Sequence, residues 1–492
     1  MRPLALRAVA VAAALFPLAL DAQGSPALEA AAKAMGGRDR ILGVRTLSLE
    51  GRADQLNFGQ NNTPTADTKF EVTSFKLVLD FANKRWFQDI TREPRFVTAV
   101  TAPQRQRNGI DGDVAYNVAP NGNMTRAGAQ VATERSWEFL FHPIGFMQAA
   151  LAPGAEVFDD PAPNNTRIIR ITPGGNKFAM IVDTRTSLPV RVERMMDQAM
   201  LGDVTLIIEF SDWQDVGGMK MPMRFTRRYE NLATLVDVRL TAAKANEDVG
   251  NIAASDSIRS ATVAQAAQPA PTIVVDTLAP GVWLIGGQTH HTIAIEQSKG
   301  IVLVEAPQSD ARALAAIAKA RELRPNKPLT AVINTHHHFD HSGGIRAAVS
   351  EGLPIITHEA NKDFYERVVY RRPHLIQPDA LSKNPKPLRL TAVRDKYVLR
   401  DSARTVEVYE VTGNPHAGTM LMVYLPAEKI LVQADLYNPP AANAPPPPWF
   451  PFAANLVENI QKRGLQVERV VGIHGRPVPF TELLTAAATR AP

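Results

Sequence analysis

The stretch that most constrains this 492-residue chain is Ala331-Val-Ile-Asn-Thr-His336-His337-His338-Phe339-Asp340-His341-Ser342-Gly343-Gly344, an apolar strand that runs into four histidines and an aspartate. Neutral imidazole and carboxylate are donors that suit divalent zinc or iron, and five such groups this close together cannot all point away from one another. In an extended segment His336 and His338 share one face, and Asp340 and His341 follow where the backbone leaves the strand. The spacing therefore predicts two ligand pairs for two neighbouring metal ions. It turns His337 the other way, towards solvent or a supporting role.

Three more metal-capable residues stand at the ends of strand-like runs. Val408 to Val411 leads into Thr412-Gly-Asn-Pro-His416, Ile430-Leu-Val-Gln-Ala-Asp435 ends a buried-type strand, and Val470-Val-Gly-Ile-His474-Gly ends another. Each sits beside a glycine or a small residue. In order these residues spell H-x-H-x-D-H, then H, D and H, which resembles the metallo-β-lactamase superfamily of metallohydrolases over roughly residues 275 to 480.

That resemblance implies a sandwich of two β-sheets flanked by helices, with two divalent metal ions, read as zinc, at one edge. His336, His338 and His416 match the ligands of the first ion, and Asp340, His341 and His474 those of the second, while Asp435 matches the carboxylate that bridges them. A water held between two dications loses a proton near neutral pH, so the implied nucleophile is a bridging hydroxide, with Asp340 as the catalytic residue that orients it or shuttles its proton. Glu305 stands where an aspartate commonly supports the histidine loop. The chain has no cysteine, which excludes the members with a thiolate ligand, a thiol nucleophile and a disulfide framework. A bridging aspartate is more typical of lactonase-, glyoxalase- and phosphodiesterase-like members than of β-lactamases.

The other histidines of this half carry less. His290 and His291 lie on a hairpin that can overhang the metals and touch substrate, whereas His358 and His374 read as structural or surface residues. Tyr437-Asn-Pro-Pro and the run Pro445 to Phe452 offer a stiff, aromatic segment that could wall the pocket.

The N-terminal half reads differently. Basic residues at Arg2 and Arg7, an apolar run from Ala8 to Leu20 and small residues near Asp21-Ala22 predict a secretory signal peptide over residues 1–22. The run is short for a membrane span and Pro17 interrupts it. An Ala-rich helix from Leu28 to Met35 is followed by strand-like runs such as Thr46 to Ala53, Phe70 to Asp80, Val204 to Phe210 and Met221 to Tyr229, joined by glycine turns. Residues 23–250 thus read as an antiparallel β-rich accessory domain, loosely similar to the curved half-barrels of periplasmic lipoprotein-carrier domains. Its lone histidine, His142, reads as structural or surface, and no chemistry is expected from it.

From Asn251 to Thr272 the composition shifts to Ala, Ser, Gln and Pro, which reads as a linker to the α+β catalytic domain at 273–492. The two halves are expected to be separable. A net charge of +5 spread along the chain, with no basic stripe, argues against nucleic acid as a partner.

The reading is an exported, periplasmic or secreted metal-dependent hydrolase acting on a small-molecule ester, lactone, amide or related bond, with no stable membrane span. The competing readings are a β-lactamase-type amide hydrolase, an iron-dependent oxidoreductase of the same fold, and an N-terminal module that binds a lipid-like ligand.

Overall fold

The computed structural model describes residues 20–21, 25–262, 271–445, 447 and 449–489. Most of the expected signal peptide, and Pro446 and Pro448 of the proline-rich run, lie outside the described residues. Among the described residues no helix is long and apolar enough to cross a membrane.

Among the described residues the N-terminal half is built on one antiparallel sheet of 14 strands whose edges are Leu20–Asp21 and Met124–Arg126. Alternation writes its inner face: along Thr46–Leu56 the buried residues include Leu47, Leu49 and Ala53, spaced so that they face one way. The chain closes this sheet over a long sequence distance, since Thr46–Leu56 pairs with Ala233–Ala245 on one side and Lys69–Asp80 on the other. Helices Pro26–Ala34 and Pro143–Ala150 cover the inner face through Leu28, Ile144, Phe146 and Met147.

Several strands are absent from the pattern-based reading. Gln104–Asp111 is QRQRNGID and Glu156–Ala162 carries Pro161, so neither has the apolar alternation that marks a strand. They form because each has a partner already in register, Arg85–Pro94 and Thr166–Ile171 respectively.

His142 is buried and caps the helix Pro143–Ala150, its Nδ1 accepting from the N–H of Ile144 at 3.2 Å. Burial pushes its imidazole down to about 3 from the ordinary 6.5. A depressed histidine stabilises the fold above its unfolded-state value and loses that contribution as pH falls towards the folded one. Between pH 6.5 and about 3 this residue should therefore cost about 1.4 kcal/mol per pH unit. His142→Asn, which keeps a capping acceptor, should flatten the fall in unfolding free energy between pH 6.5 and 5 by about 2 kcal/mol. Denaturant titrations of both proteins at the two pH values measure it.

Residues 251–262, inside the expected linker, pack on the first sheet. The Tyr116 hydroxyl donates to the carbonyl of Ile252 at 2.5 Å, and Asp111 accepts from the N–H of Ala254 at 2.9 Å and from Arg259.

The C-terminal half is four layers deep. One sheet runs in spatial order from Val274–Ala279 to Leu390–Val393, with parallel pairing among Ile301–Val304, Leu329–Ile333, Ile355–His358 and Leu390–Val393. The second sheet runs from Lys396–Arg400 to Val478–Pro479. Their facing sides meet in a core of Ile293, Val302, Ile333, Val408, Val423 and Val471. Helices Asp310–Leu323 and Ile345–Ser350 cover the first sheet, and Ala453–Lys462 and Phe480–Ala487 the second.

The halves share apolar contacts. Met200, Leu201 and Val204 of the first half are buried in the same core as Ile345, Tyr365 and Val369 of the second. Beside them Asp203 accepts from the N–H groups of Leu375 and Ile376 at 2.9 and 3.1 Å, and Arg372 donates to the carbonyl of Leu201.

Candidate metal centre

The donor-bearing residues stand where strands of the sandwich end. Leu329–Ile333 delivers His336 and His338, Ile430–Gln433 delivers Asp435, Arg469–Gly472 delivers His474, and the turn after Thr405–Glu410 delivers His416. Open sheets collect ligand sites at the carboxyl ends of their strands. Asp435 and Glu305 both sit at strand ends with positive φ, 61° and 74°. Neither has the glycine freedom that this region favours, so the surrounding packing holds them there.

All seven residues singled out in the sequence lie in one cluster. His336, His338, His416 and Asp435 form one set of mutually close donors; Asp340, His341 and His474 belong to a second, joined by His290. Asp435 connects the sets, with Oδ2 at 3.0 Å from His416 Nε2, 3.3 Å from His336 Nε2 and 2.9 Å from His341 Nε2, and Oδ1 at 2.9 Å from His474 Nε2.

The donor set fits divalent metal. An ion bonded tetrahedrally at zinc-like distances spaces its donors about 3.3 Å apart, and His341 Nε2 to His474 Nε2 is 3.2 Å. His338 Nδ1 is buried without a hydrogen-bond partner, and His336 Nε2 faces Asp435 Oδ2 at 3.3 Å without a well-aligned hydrogen bond, although buried polar atoms are normally satisfied. Their other ring nitrogens are engaged, His338 Nε2 donating to the carbonyl of Asn61 at 2.9 Å and His336 Nδ1 lying 3.1 Å from Thr335 Oγ1. An outer partner on one nitrogen and a bare lone pair on the other is how a histidine is set to bind an ion.

Charge in the cluster is polarised. Burial would push Asp435 up, but His341, His336 and His416 hold its carboxyl well below the usual range. Burial works against a proton on His341 too, yet Asp435 and Glu305 raise it well above the ordinary value. His336, buried and beside His341, is lowered well below it. Glu305 also accepts from the N–H of Thr335 at 2.7 Å, so it braces the histidine loop as expected of that position.

His337 is buried, not turned to solvent, and its Nδ1 lies 2.8 Å from Thr419 Oγ1. His291 ties its hairpin to the His474 loop through the carbonyl of Gly475 at 2.8 Å. His358 lies 3.3 Å from Glu410, and His374 is buried near Asp379.

The N-terminal half reaches this centre, contrary to the expectation that it carries no chemistry. Between Thr46–Leu56 and Lys69–Asp80 the chain makes a long turn whose residues Gln60 and Asn61 face the ligands. The Gln60 amide donates to Asp340 Oδ1 at 2.6 Å, Asn61 receives His338 as above, and the carbonyl of Asn62 accepts from the N–H of Gly418 at 2.7 Å. Gly59 permits the approach: its φ is 77°, its carbonyl accepts from the N–H of Phe339, and a Cβ there would lie 2.7 Å from the Phe339 ring. Phe58 packs edge-on against the same ring at 5.2 Å.

The ligands open into a pocket of about 290 Å³ whose wall comes from both halves. Gln60, Asn62, Phe96 and Val97 contribute from the first, and Asn438 and Phe452 from the second, around Asp340, His416 and Asp435. Among the described residues that line it none is a lysine or an arginine. The aromatic segment after Asp435 does reach this wall through Phe452, whose ring is 5.0 Å from that of His416.

Residues 285–449 match the family described as the metallo-beta-lactamase superfamily. Among solved structures the chain is similar to a metallo-beta-lactamase from Pontibacter korlensis, at 19% identity and a TM-score of 0.35 over 44% of this chain and 98% of that one. It is also similar to a metallo beta lactamase from Hirschia baltica, at 19% and 0.33 over 44% and 96%. A third likeness is to the stereoselective inverting sec-alkylsulfatase Pisa1 from Pseudomonas sp., at 21% and 0.32 over 44% and 40%. No curated protein matches the chain.

Proposed function

The C-terminal half of the chain is of the metallo-beta-lactamase superfamily, and from that premise we propose that the protein is an exported hydrolase of small, uncharged esters, lactones or amides, dependent on two divalent ions, zinc by preference. The observation that carries this reading is Asp435, whose two oxygens touch histidines of both donor sets. His336, His338 and His416 would hold one ion, Asp340, His341 and His474 the other, and Asp435 both. Bound there, the ions would supply an activated water and polarise the carbonyl under attack.

The chain's own groups do the rest. Asp340 faces the pocket with its side chain 38% exposed, and the Gln60 amide on Oδ1 fixes its orientation, with His290 Nε2 3.1 Å from Oδ2. Burial alone would raise Asp340, but the neighbouring His290 and His341 hold it below the usual carboxylate range, so it is an anion at neutral pH, placed to orient the nucleophile. Asn438, Asn62 and Gln60 offer neutral hydrogen-bond groups, and Phe96, Val97 and Phe452 an apolar wall. A lining without cations offers no partner to a substrate carboxylate away from the ligands, which favours neutral substrates over β-lactams.

Metal content measured alongside hydrolysis of lactones, esters, phosphodiesters and β-lactams tests this. Two zinc ions with turnover of neutral esters or lactones supports it; iron with no hydrolysis would move the protein to the oxidoreductase reading. Phe96→Ala should raise KM about tenfold, roughly the 1.4 kcal/mol of part of an aromatic contact, with metal content and kcat unchanged. Export predicts that the mature protein lacks about its first 22 residues; N-terminal sequencing that finds Met1 in place would reject it.

A second reading has its own observation. Inside the first sheet lies a cavity of about 340 Å³ lined by Phe75, Leu77, Trp86, Ile90 and Phe225. Arg227, paired with Glu138 at 2.8 Å, lies on its wall. Such a space suits an apolar ligand, and extraction of a bound lipid from the purified protein would establish it.

A further inference from the structure

His290 lies on the turn between strands Val282–Gly286 and Thr292–Glu296, outside the seven-residue pattern and 46 positions before the histidine cluster begins. Its side chain is nonetheless packed among the second donor set. Its Nε2 is 3.1 Å from Asp340 Oδ2, and its ring centroid is 4.0 Å from that of His474 and 5.0 Å from that of His341. A donor atom of each of the four residues can be chosen so that all lie within 4.8 Å of one another. The residue is buried.

The surroundings of His290 are those of a held ligand. On the far side of the ring Nδ1 is 2.9 Å from Thr289 Oγ1, which itself accepts from the Gln308 amide at 3.0 Å. The Thr289 carbonyl accepts from His474 Nδ1 at 3.0 Å, so one residue orients both rings. Below the turn the buried Arg312 donates to the carbonyls of His290, Ile285 and Gly286. A partner on Nδ1 with Nε2 turned inward towards a carboxylate and two imidazoles is the outer arrangement that fixes ligand histidines elsewhere in proteins. A substrate-binding histidine needs no such bracing and would be more open to the pocket; His290 is not among the residues that line it.

We infer that His290 is a further protein ligand of the second ion, which would then be held by His290, Asp340, His341 and His474 together with Asp435. This rests on the reading of the site as dinuclear. Its chemical consequence is an asymmetric pair, in which the second ion has more protein donors and fewer positions for water or substrate than the first.

The test is zinc binding to the full chain, followed by competition with a chromophoric chelator and by X-ray absorption, with no reference to turnover. Wild type should take up two ions. His290→Ala should weaken the second at least ~100-fold, since losing a ligand should cost no less than losing its outer partner, leave the first unchanged and lower the count of imidazoles around zinc. Thr289→Val, which removes only the Nδ1 partner, should weaken the second ion about tenfold and serves if His290→Ala does not fold. A wild type that binds a single ion overturns both this inference and the dinuclear reading. His290→Ala holding two ions at wild-type affinity overturns this inference alone, and if turnover then falls His290 belongs to Asp340 as a positioning residue.

Discussion

Replacing Asp435 by alanine is expected to lower hydrolysis by at least ~100-fold and to bring metal content from two ions per chain towards one. Among the described residues no other carboxylate touches both donor sets: Asp435 meets His336, His341 and His416 through one oxygen and His474 through the other. Changes to groups that only support metal ligands cost about 10- to 100-fold, and a shared ligand should cost no less. The loss should fall on kcat, because binding surfaces such as Phe96 and Asn438 stay in place. Metal analysis of the purified variant and steady-state kinetics on a neutral ester give the answer. Wild-type rate with two ions bound would remove the basis for a dinuclear centre.

A chain that begins near Gln268 is expected to lose metal affinity by at least ~100-fold and to aggregate. This reverses what the linker-like composition of 251–272 suggests. Cutting there exposes the part of the C-terminal core that Met200, Leu201 and Val204 cover. Apolar surface of that kind drives association. The cut also takes away the Gln60 amide from Asp340 and the Asn61 carbonyl from His338, two outer partners at about 10-fold or more each. Chelator competition on the truncated and full-length chains decides the matter. A truncated protein that is monomeric and binds zinc as the whole chain does would show that the first half is dispensable to the centre.

The candidate site was readable because its donor residues are concentrated. Four donors between His336 and His341, and single donors at the ends of apolar runs, need no long-range information beyond strand ends meeting at one edge. The contribution of the first half was not readable. Gln60 and Asn61 sit in a polar turn with no spacing signal, and Gln60 meets a partner 280 residues away. Only Gly59, forced to positive φ against Phe339, marks the spot, and it looks like any turn glycine in the sequence. His290 was visible as a residue able to overhang the metals, but its bracing by Thr289 and Gln308 depends on a tertiary contact. In the first half the apolar, alternating strands were legible, whereas Gln104–Asp111 takes its form from its neighbour.

The order of the donors along the chain has a consequence for synthesis. The ribosome releases the Gln60–Asn61 turn first, then His336, His338 and His341, then His416 and Asp435, and only near the end His474. One group, His336, His338, His416 and Asp435, is therefore complete in a nascent chain that still lacks a member of the other. The strand Arg469–Gly472, near the C-terminus, adds His474 by pairing in parallel with Ile430–Gln433. A chain stalled or clipped before that strand would carry one complete donor group and a second lacking His474 alone.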